Sequence, residues 1–371
     1  MSSEKIEVKK YDYIDALRGI AVLGTLVVHC SIYDKGINDF GDLFKRITFM
    51  GSTGVQLFFL MSALTLYMSY DLKKNVEKNS ILNFYLRRFF RIAPLFYLAI
   101  IFYLVLNGTG ARYWLGSQSS VTQGNILSTF TFTNSINPYW INSIVEGGWS
   151  IAIEMVFYLV FPLLFKLINN TNKAIWALNF SLIFSSVFYL YMYNHPMIQD
   201  NEVWISFCYF SFPSQLPVFL LGINLYFILK NQVELVSYFK SNKLAVISLA
   251  AIFMSHIIRP HLQEHILMSF AFLIIVIVFS QLNFRNNIGK VLTFIGKISF
   301  SMYLIHFSVL FLMWKLNLLD IINKQVLNFG LRYFILVTLT AGISYLTYKF
   351  IELPGITLGK KVIAFFESKT K

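Results

Sequence analysis

Apolar stretches of about 17–25 residues recur along this chain from residue 14 to residue 351, and each is long enough to cross a hydrocarbon core of roughly 30 Å as a helix. In lipid every backbone N–H and C=O needs an internal partner, so segments of this length are expected to be α-helical. The expected spans fall at 14–32, 54–70, 90–106, 149–168, 174–193, 204–229, 243–258, 264–281, 291–314 and 331–351. Composition agrees, with 56% apolar residues and only 13% charged, against roughly 25% charged in soluble domains. The expectation is an all-α fold: a polytopic membrane helix bundle of about ten transmembrane helices. It divides into an N-terminal segment (1–13), a transmembrane domain (14–353) and a basic tail (354–371). Pro213 and Pro217 within the sixth stretch predict a kinked or broken helix there.

A net charge of +13 would suggest nucleic-acid binding in a soluble protein. Here the basic residues cluster in alternate loops. Lys5, Lys9 and Lys10 precede the first span, Lys73, Lys74, Lys78, Arg87, Arg88 and Arg91 separate the second from the third, and Lys240 and Lys243 follow the sixth. Cytoplasmic loops collect Lys and Arg, so the pattern puts both termini in the cytoplasm and leaves no case for nucleic acid. Arg18 interrupts the first apolar run and no small-residue cleavage site follows, so that run reads as a retained anchor rather than a leader. Cys30 and Cys208 lie in apolar segments and read as packing residues. Most loops are short. The stretch 107–148 is long, polar from Ser117 to Asn137, and carries Trp114, Tyr139 and Trp140. It fits either an interfacial loop with aromatic anchors or a surface for sugar rings.

Ionisable residues inside apolar spans cost energy to place and point to function. The first span holds Asp15, Arg18 and His29. At 100° per residue, Arg18 and His29 differ by about 20° after three turns, so they share one helix face about 16 Å apart. The plainer readings are a snorkelling Arg18 paired with Asp15 and a His29 bonded to backbone. Glu154 lies one turn after Ser150 in GGWSIAIEMVFYLVFPLL, and its depth allows a pair with His29 in which the carboxylate sets the imidazole tautomer. Trp149 opens that same helix. Ser62 lies in GSTGVQLFFLMSALTLY, where small residues allow close helix approach. Arg87, Arg88 and Arg91 cluster on one flank of the next helix start, suited to phosphate oxygens or simply setting topology. Tyr303 and His306 share a face and complete the lining. His195, His256, His261 and His265 have no acidic or cysteine companion that makes a metal-site pattern, so no metal site is expected. Nucleotide-loop and nucleophile-elbow signatures are missing from the sequence as well.

Taken in order, DALRGIAVLGTLVVH, GVQLFFLMSA, RRFFRIAP, GWSIAIEMVFY, SMYLIH and FIELPG resemble the acyltransferase-3 family of integral membrane acyltransferases, which includes polysaccharide O-acetyltransferases. The resemblance spans about residues 11–357. It implies that Arg18 and His29 are required and that the arginines before the third span serve the acyl donor. Ala63 stands where the family commonly has Gly, and an appended esterase-like domain found in some members is not expected here. The resemblance further implies a bacterial inner or plasma membrane and no tightly bound cofactor. It also implies acetyl-CoA or another acyl-CoA as cytoplasmic donor and a carbohydrate or glycolipid hydroxyl as acceptor. On this expectation His29 acts as general base with Glu154 orienting it. A transporter or flippase using the same polar stripe is the other reading.

Overall fold

A computed structural model describes residues 11–32, 44, 48, 50–231, 264–322 and 325–369. The expected seventh span (243–258), Lys5, Lys9, Lys10, Lys240, Lys243, His256 and His261 lie outside the described residues. Among the described residues the chain is helical, with one isolated bridge between Gly110 and Ser120 as its only extended pairing. The α-helices are α1 Asp12–Ile32, α2 Gly54–Lys73, α3 Ser80–Asn107, α4 Gln123–Phe130, α5 Gly148–Leu167, α6 Thr171–Asn194 and α7 Asn201–Phe210. There follow α8 Phe212–Asn231, α9 Glu264–Ser280, α10 Asn287–Lys297, α11 Ser299–Lys315, α12 Gln325–Thr347 and α13 Leu353–Lys369.

Seven described helical segments are long and apolar enough to cross a membrane, or eight if the bent pair α10–α11 counts as one. The expected count of about ten is therefore not reached among the described residues, for local reasons. α9 has 17 residues, about 25 Å of helix against a core of roughly 30 Å. The ninth expected span is bent by 77° between Lys297 and Ser299. The break expected in the sixth falls at Ser211, whose extended backbone (ψ 148°) separates α7 from α8 just before Pro213. The third helix begins at Ser80, ten residues ahead of its expected start, which places the arginine cluster inside α3 rather than at its tip. The tail expected at 354–371 is mostly helix: α12 runs through a π-helical turn (Tyr348–Glu352) into α13.

Burial sorts these helices. The α7–α8 segment is 78% buried across its apolar window and α2 67%, whereas α6 is 33% buried; the first two form the centre and α6 the lipid-facing wall. α1 packs along α10, α2 and α6 flank α8, and α13 lies along α3. Close approach depends on glycine. A methyl on Gly296 would overlap the Asp15 carbonyl, and one on Gly51 would overlap the Gly24 carbonyl.

The contacts define two ends. At one, Lys230 and Lys74 meet Asp71 at 2.8 and 2.9 Å, and Asn231 Nδ2 donates to Thr171 at 3.0 Å. At the other, Trp204 Nε1 donates to the Met192 carbonyl at 2.8 Å, and the 107–148 loop is clasped to Asp200. That carboxylate accepts from the Ser117 amide (3.0 Å), the Ser117 hydroxyl (2.7 Å) and the Tyr139 hydroxyl (2.7 Å). Gly116, at φ +52°, leaves the space Asp200 occupies.

Candidate active site

Three apolar helices place charge in the interior. Arg18 projects from α1, Glu154 from α5, and Arg88 and Arg91 from α3, and all four line one cavity of about 80 Å³ with Ser62, Thr65, Ser150, Tyr158 and Tyr303. Glu154 Oε1 accepts from Ser62 (2.6 Å) and from Tyr158 one turn further along α5 (2.5 Å). Arg18 donates to Thr65 at 3.2 Å and lies 3.7 Å from Asp15. Glu154 is also within electrostatic reach of Arg18 and Arg88. Arg88 sits over the Tyr158 ring at 6.0 Å, and its buried Nε has no hydrogen-bond partner among the described residues. Of the charged groups lining the cavity three are guanidinium and one is carboxylate, with Asp15 beside Arg18 and Glu352 within electrostatic reach of Arg91 just outside it, and Coulomb terms there are screened far less than in water.

Arg87 departs from the cluster. Its guanidinium forks onto Glu77 with bonds of 2.6 and 3.0 Å, directed away from the cavity. Helix rotation does not separate them, since Arg87 and Arg88 lie about 40° and 60° either side of Arg91; the local partner does, because Glu77 takes both terminal nitrogens of Arg87. Of the three expected donor-binding arginines, the structure brings Arg88 and Arg91 to the site.

The expected pair of His29 with Glu154 does not form. His29 packs against the rings of Phe307 (4.3 Å) and His306 (5.1 Å), whereas Glu154 is held on the arginine side by Ser62 and Tyr158. The two groups are turned to different neighbours, His29 to the rings of α11 and Glu154 to Ser62 of α2 and Tyr158 of its own helix. His29 does not line the arginine cavity. The connection runs through Tyr303, which lines the cavity, donates to the Gly147 carbonyl at 3.0 Å and accepts from Ser150 at 2.9 Å. Gly147 precedes α5 at φ +77°, a backbone that glycine tolerates, and a Cβ there would press on the Tyr303 hydroxyl. The Tyr303 ring lies 5.8 Å from that of His306. Trp149 is stacked on Phe210 at 4.2 Å and walls this region.

Several residues at the site were not singled out in the sequence. Thr65 and Tyr158 were legible as polar neighbours at helical spacing from Ser62 and Glu154. Glu352 is a buried carboxylate in an apolar span, hydrogen-bonded by Ser301 and within electrostatic reach of Arg91; its signal was a charge in the FIELPG run. Next to the arginine cavity, and sharing Arg18 and Thr65 with it, a second cavity of about 590 Å³ opens among Tyr11, Tyr13, Asp71 and Lys230.

Relatives with names of this chemistry exist. A Staphylococcus aureus (strain COL) protein provisionally named O-acetyltransferase SACOL0978 is 27% identical across 96% of this chain and 59% of its own length. O-acetyltransferase OatA of Staphylococcus aureus (strain NCTC 8325 / PS 47) is 25% identical over 96% of this chain and 59% of its own length. The chain thus spans about 59% of the length of these curated relatives. No solved structure matches it. A family model described as an acyltransferase domain matches residues 11–349, and with the buried arginine–glutamate cavity carried by that same stretch, the chain belongs to the acyltransferase-3 family of membrane proteins.

Proposed function

We propose that this protein moves an acyl group, acetyl in the first instance, from a cytoplasmic acyl-CoA to a hydroxyl of an extracytoplasmic carbohydrate or glycolipid. The carrying observation is the cavity in which Arg18, Arg88 and Arg91 face Glu154 inside the bundle; the relatives' names supply the acetyl group and the oxygen acceptor. The basic end of the bundle faces the cytoplasm on this reading. The 590 Å³ cavity there has the size of a ligand pocket and takes the body of the coenzyme. Its thioester arm passes Arg18 and Thr65 into the arginine cavity, where the guanidinium groups stabilise negative charge developing on the thioester oxygen. His29 acts as general base: the acceptor oxygen bonds to the acyl carbon as His29 takes its proton, the carbon–sulfur bond breaks, and the thiolate leaves to be protonated. His29 and the cavity are joined through the Tyr303–His306 contact, so acceptor entry from the loop end brings its hydroxyl between them.

The test is transfer of labelled acetyl from acetyl-CoA to a cell-envelope glycan fraction by the protein in liposomes. His29→Ala is expected to bind acetyl-CoA and transfer none. Covalent label with His29→Ala equal to wild type would remove the base assignment. Movement of substrate across the bilayer without any covalent label would instead support a transporter.

A further inference from the structure

His306 is the most enclosed ionisable side chain beside His29. It is fully buried, yet among the described residues its Nε2 has no hydrogen-bond partner. Leaving such an atom unmade costs about 1–3 kcal/mol, so a buried orphan calls for a reason. Its other nitrogen, Nδ1, lies 2.6 Å from the Tyr303 carbonyl. A carbonyl only accepts, so Nδ1 carries the proton and Nε2 presents a lone pair. That lone pair belongs to a ring whose centroid is 5.1 Å from the His29 centroid, with the planes inclined by 36°. The two rings are not hydrogen-bonded as they stand, and at this separation a turn of either ring brings facing edges to about one hydrogen-bond length, ~2.8 Å. Phe307 packs on both rings, at 4.3 Å from His29 and 4.2 Å from His306, and restricts how far either can turn away. Glu154, the group expected to orient His29, is committed to Ser62 and Tyr158.

We propose that His306 is the positioning residue for His29: its Nε2 accepts the His29 N–H, fixing the His29 tautomer so that the opposite nitrogen offers its lone pair to the acceptor hydroxyl. This inference rests on the general-base reading of His29 given above. When His29 takes the acceptor's proton it becomes an imidazolium, and the neutral His306 holds the resulting charge through the same hydrogen bond. No net proton moves to His306, because its Nδ1–H stays on the Tyr303 carbonyl. Tyr303 thereby links the two parts of the site, its hydroxyl on Gly147 and Ser150 at the cavity and its carbonyl on His306.

The substitutions that separate positioning from packing differ in where they keep an acceptor. His306→Gln can place an amide oxygen near the Nε2 position. His306→Asn can keep a donor for the Tyr303 carbonyl but reaches no further, and His306→Phe fills the volume with neither. Acetyl transfer by the Asn and Phe variants is expected to fall in kcat by about a hundredfold with KM for acetyl-CoA unchanged, and the Gln variant to recover at least tenfold of that loss. A packing role would lower thermal stability and leave Asn and Gln alike. Equal kcat in Gln and Asn, or wild-type kcat in Phe, overturns the inference while loss of transfer in His29→Ala keeps the base assignment. Wild-type protein that transfers no acetyl overturns both. If the variants do not fold, wild-type protein labelled with nitrogen-15 histidine decides: a through-hydrogen-bond coupling between the two ring nitrogens is expected, and its absence refutes the pairing.

Discussion

A guanidinium that is already satisfied contributes little to holding a ligand, and this separates three arginines that lie within one turn and a half of α3. Arg87 forks onto Glu77 with both terminal nitrogens, whereas Arg88 keeps a buried Nε without a partner among the described residues and lines the cavity with Arg91. A charged hydrogen bond is worth about 1.5–3 kcal/mol, which corresponds to a tenfold or larger effect on affinity. Arg88→Gln and Arg91→Gln are each expected to weaken acetyl-CoA binding by at least about tenfold, while Arg87→Gln changes it less than twofold; calorimetric titration of the purified protein checks the contrast. Equal losses at all three would return the cluster to bulk positive charge. The sequence made the ionisable residues of the site legible because a charge in an apolar run stands out whatever its neighbours are. Which of them meet was not legible. Arg87 and Arg88 are told apart by Glu77 rather than by helix rotation, and the partners of His29 and Glu154 depend on how α1, α5 and α11 are turned about their axes, which no spacing within a single helix records.

Helices in lipid gain little from burying apolar surface against one another, so their approach depends on small residues at the contacts. Gly296 on α10 sits against the Asp15 carbonyl of α1, and Gly19 on α1 sits against the Leu292 carbonyl of α10. An added methyl at Gly296 must push the helices apart, and overpacking costs about 1–3 kcal/mol or more. Because Asp15 is one turn from Arg18, the shift reaches the cavity as well. Gly296→Ala is expected to lower the melting temperature in detergent by several degrees and to reduce transfer, with Gly330→Ala, where nothing lies within 4 Å of the added methyl, as the matched control. Two carboxylates at the start of α7 tie down the loop 107–148, Glu202 accepting from Tyr113 at 3.3 Å and Asp200 accepting from Ser117 and Tyr139. Hydroxyl and amide donors from Ser117 and Tyr139 keep Asp200 below the usual carboxylate range. A depressed folded value means that the clasp contributes above the unfolded value of about 3.9 and is lost as pH falls through the folded one. Proteolytic nicking between residues 107 and 148 is therefore expected to be slow at pH 7, to accelerate below about pH 4, and to be fast at pH 7 in Asp200→Ala. Apolar run length revealed most of these helices in advance. The 77° bend at Ile298 was not legible because the Gly296–Lys297 pair ahead of it breaks the apolar run without fixing the angle between α10 and α11, whereas α9 matches the expected span to within one residue. The helical α13 was hidden because its stabilising contacts, Gly355 and Gly359 against Phe90 and Asn83 on Glu367, come from α3.

At the scale of the whole molecule, the two ends differ in charge, and on the proposed function that asymmetry sets which substrate meets which face. Lys73, Lys74, Lys78, Lys166, Lys173 and Lys230 gather where α2, α5 and α8 finish and α3 and α6 begin. Lys360 on α13 lies within electrostatic reach of Lys73 and joins the same end. The opposite end carries the folded loop, with Glu146, Asp200 and Glu202 around it. Basic segments next to spans are retained on the cytoplasmic side, so on the proposed function the 590 Å³ cavity bounded by Lys230 and Arg18 is expected to open towards the coenzyme pool and the clasped loop towards the acceptor. Labelling can read this directly, since both native cysteines are buried. In intact cells, a membrane-impermeant maleimide is expected to label Ile136→Cys, which lies exposed in the loop, and to leave Lys166→Cys unlabelled until the membrane is permeabilised. The reverse pattern would place the arginine-side cavity outside, where no cytoplasmic acyl-CoA could reach it, and the donor assignment would fail even with every residue-level contact intact. Labelling of both positions in intact cells would show a mixed orientation. That result would be incompatible with the strong basic asymmetry of the two ends, and it would detach the chemistry of the cavity from any fixed direction of transfer across the membrane.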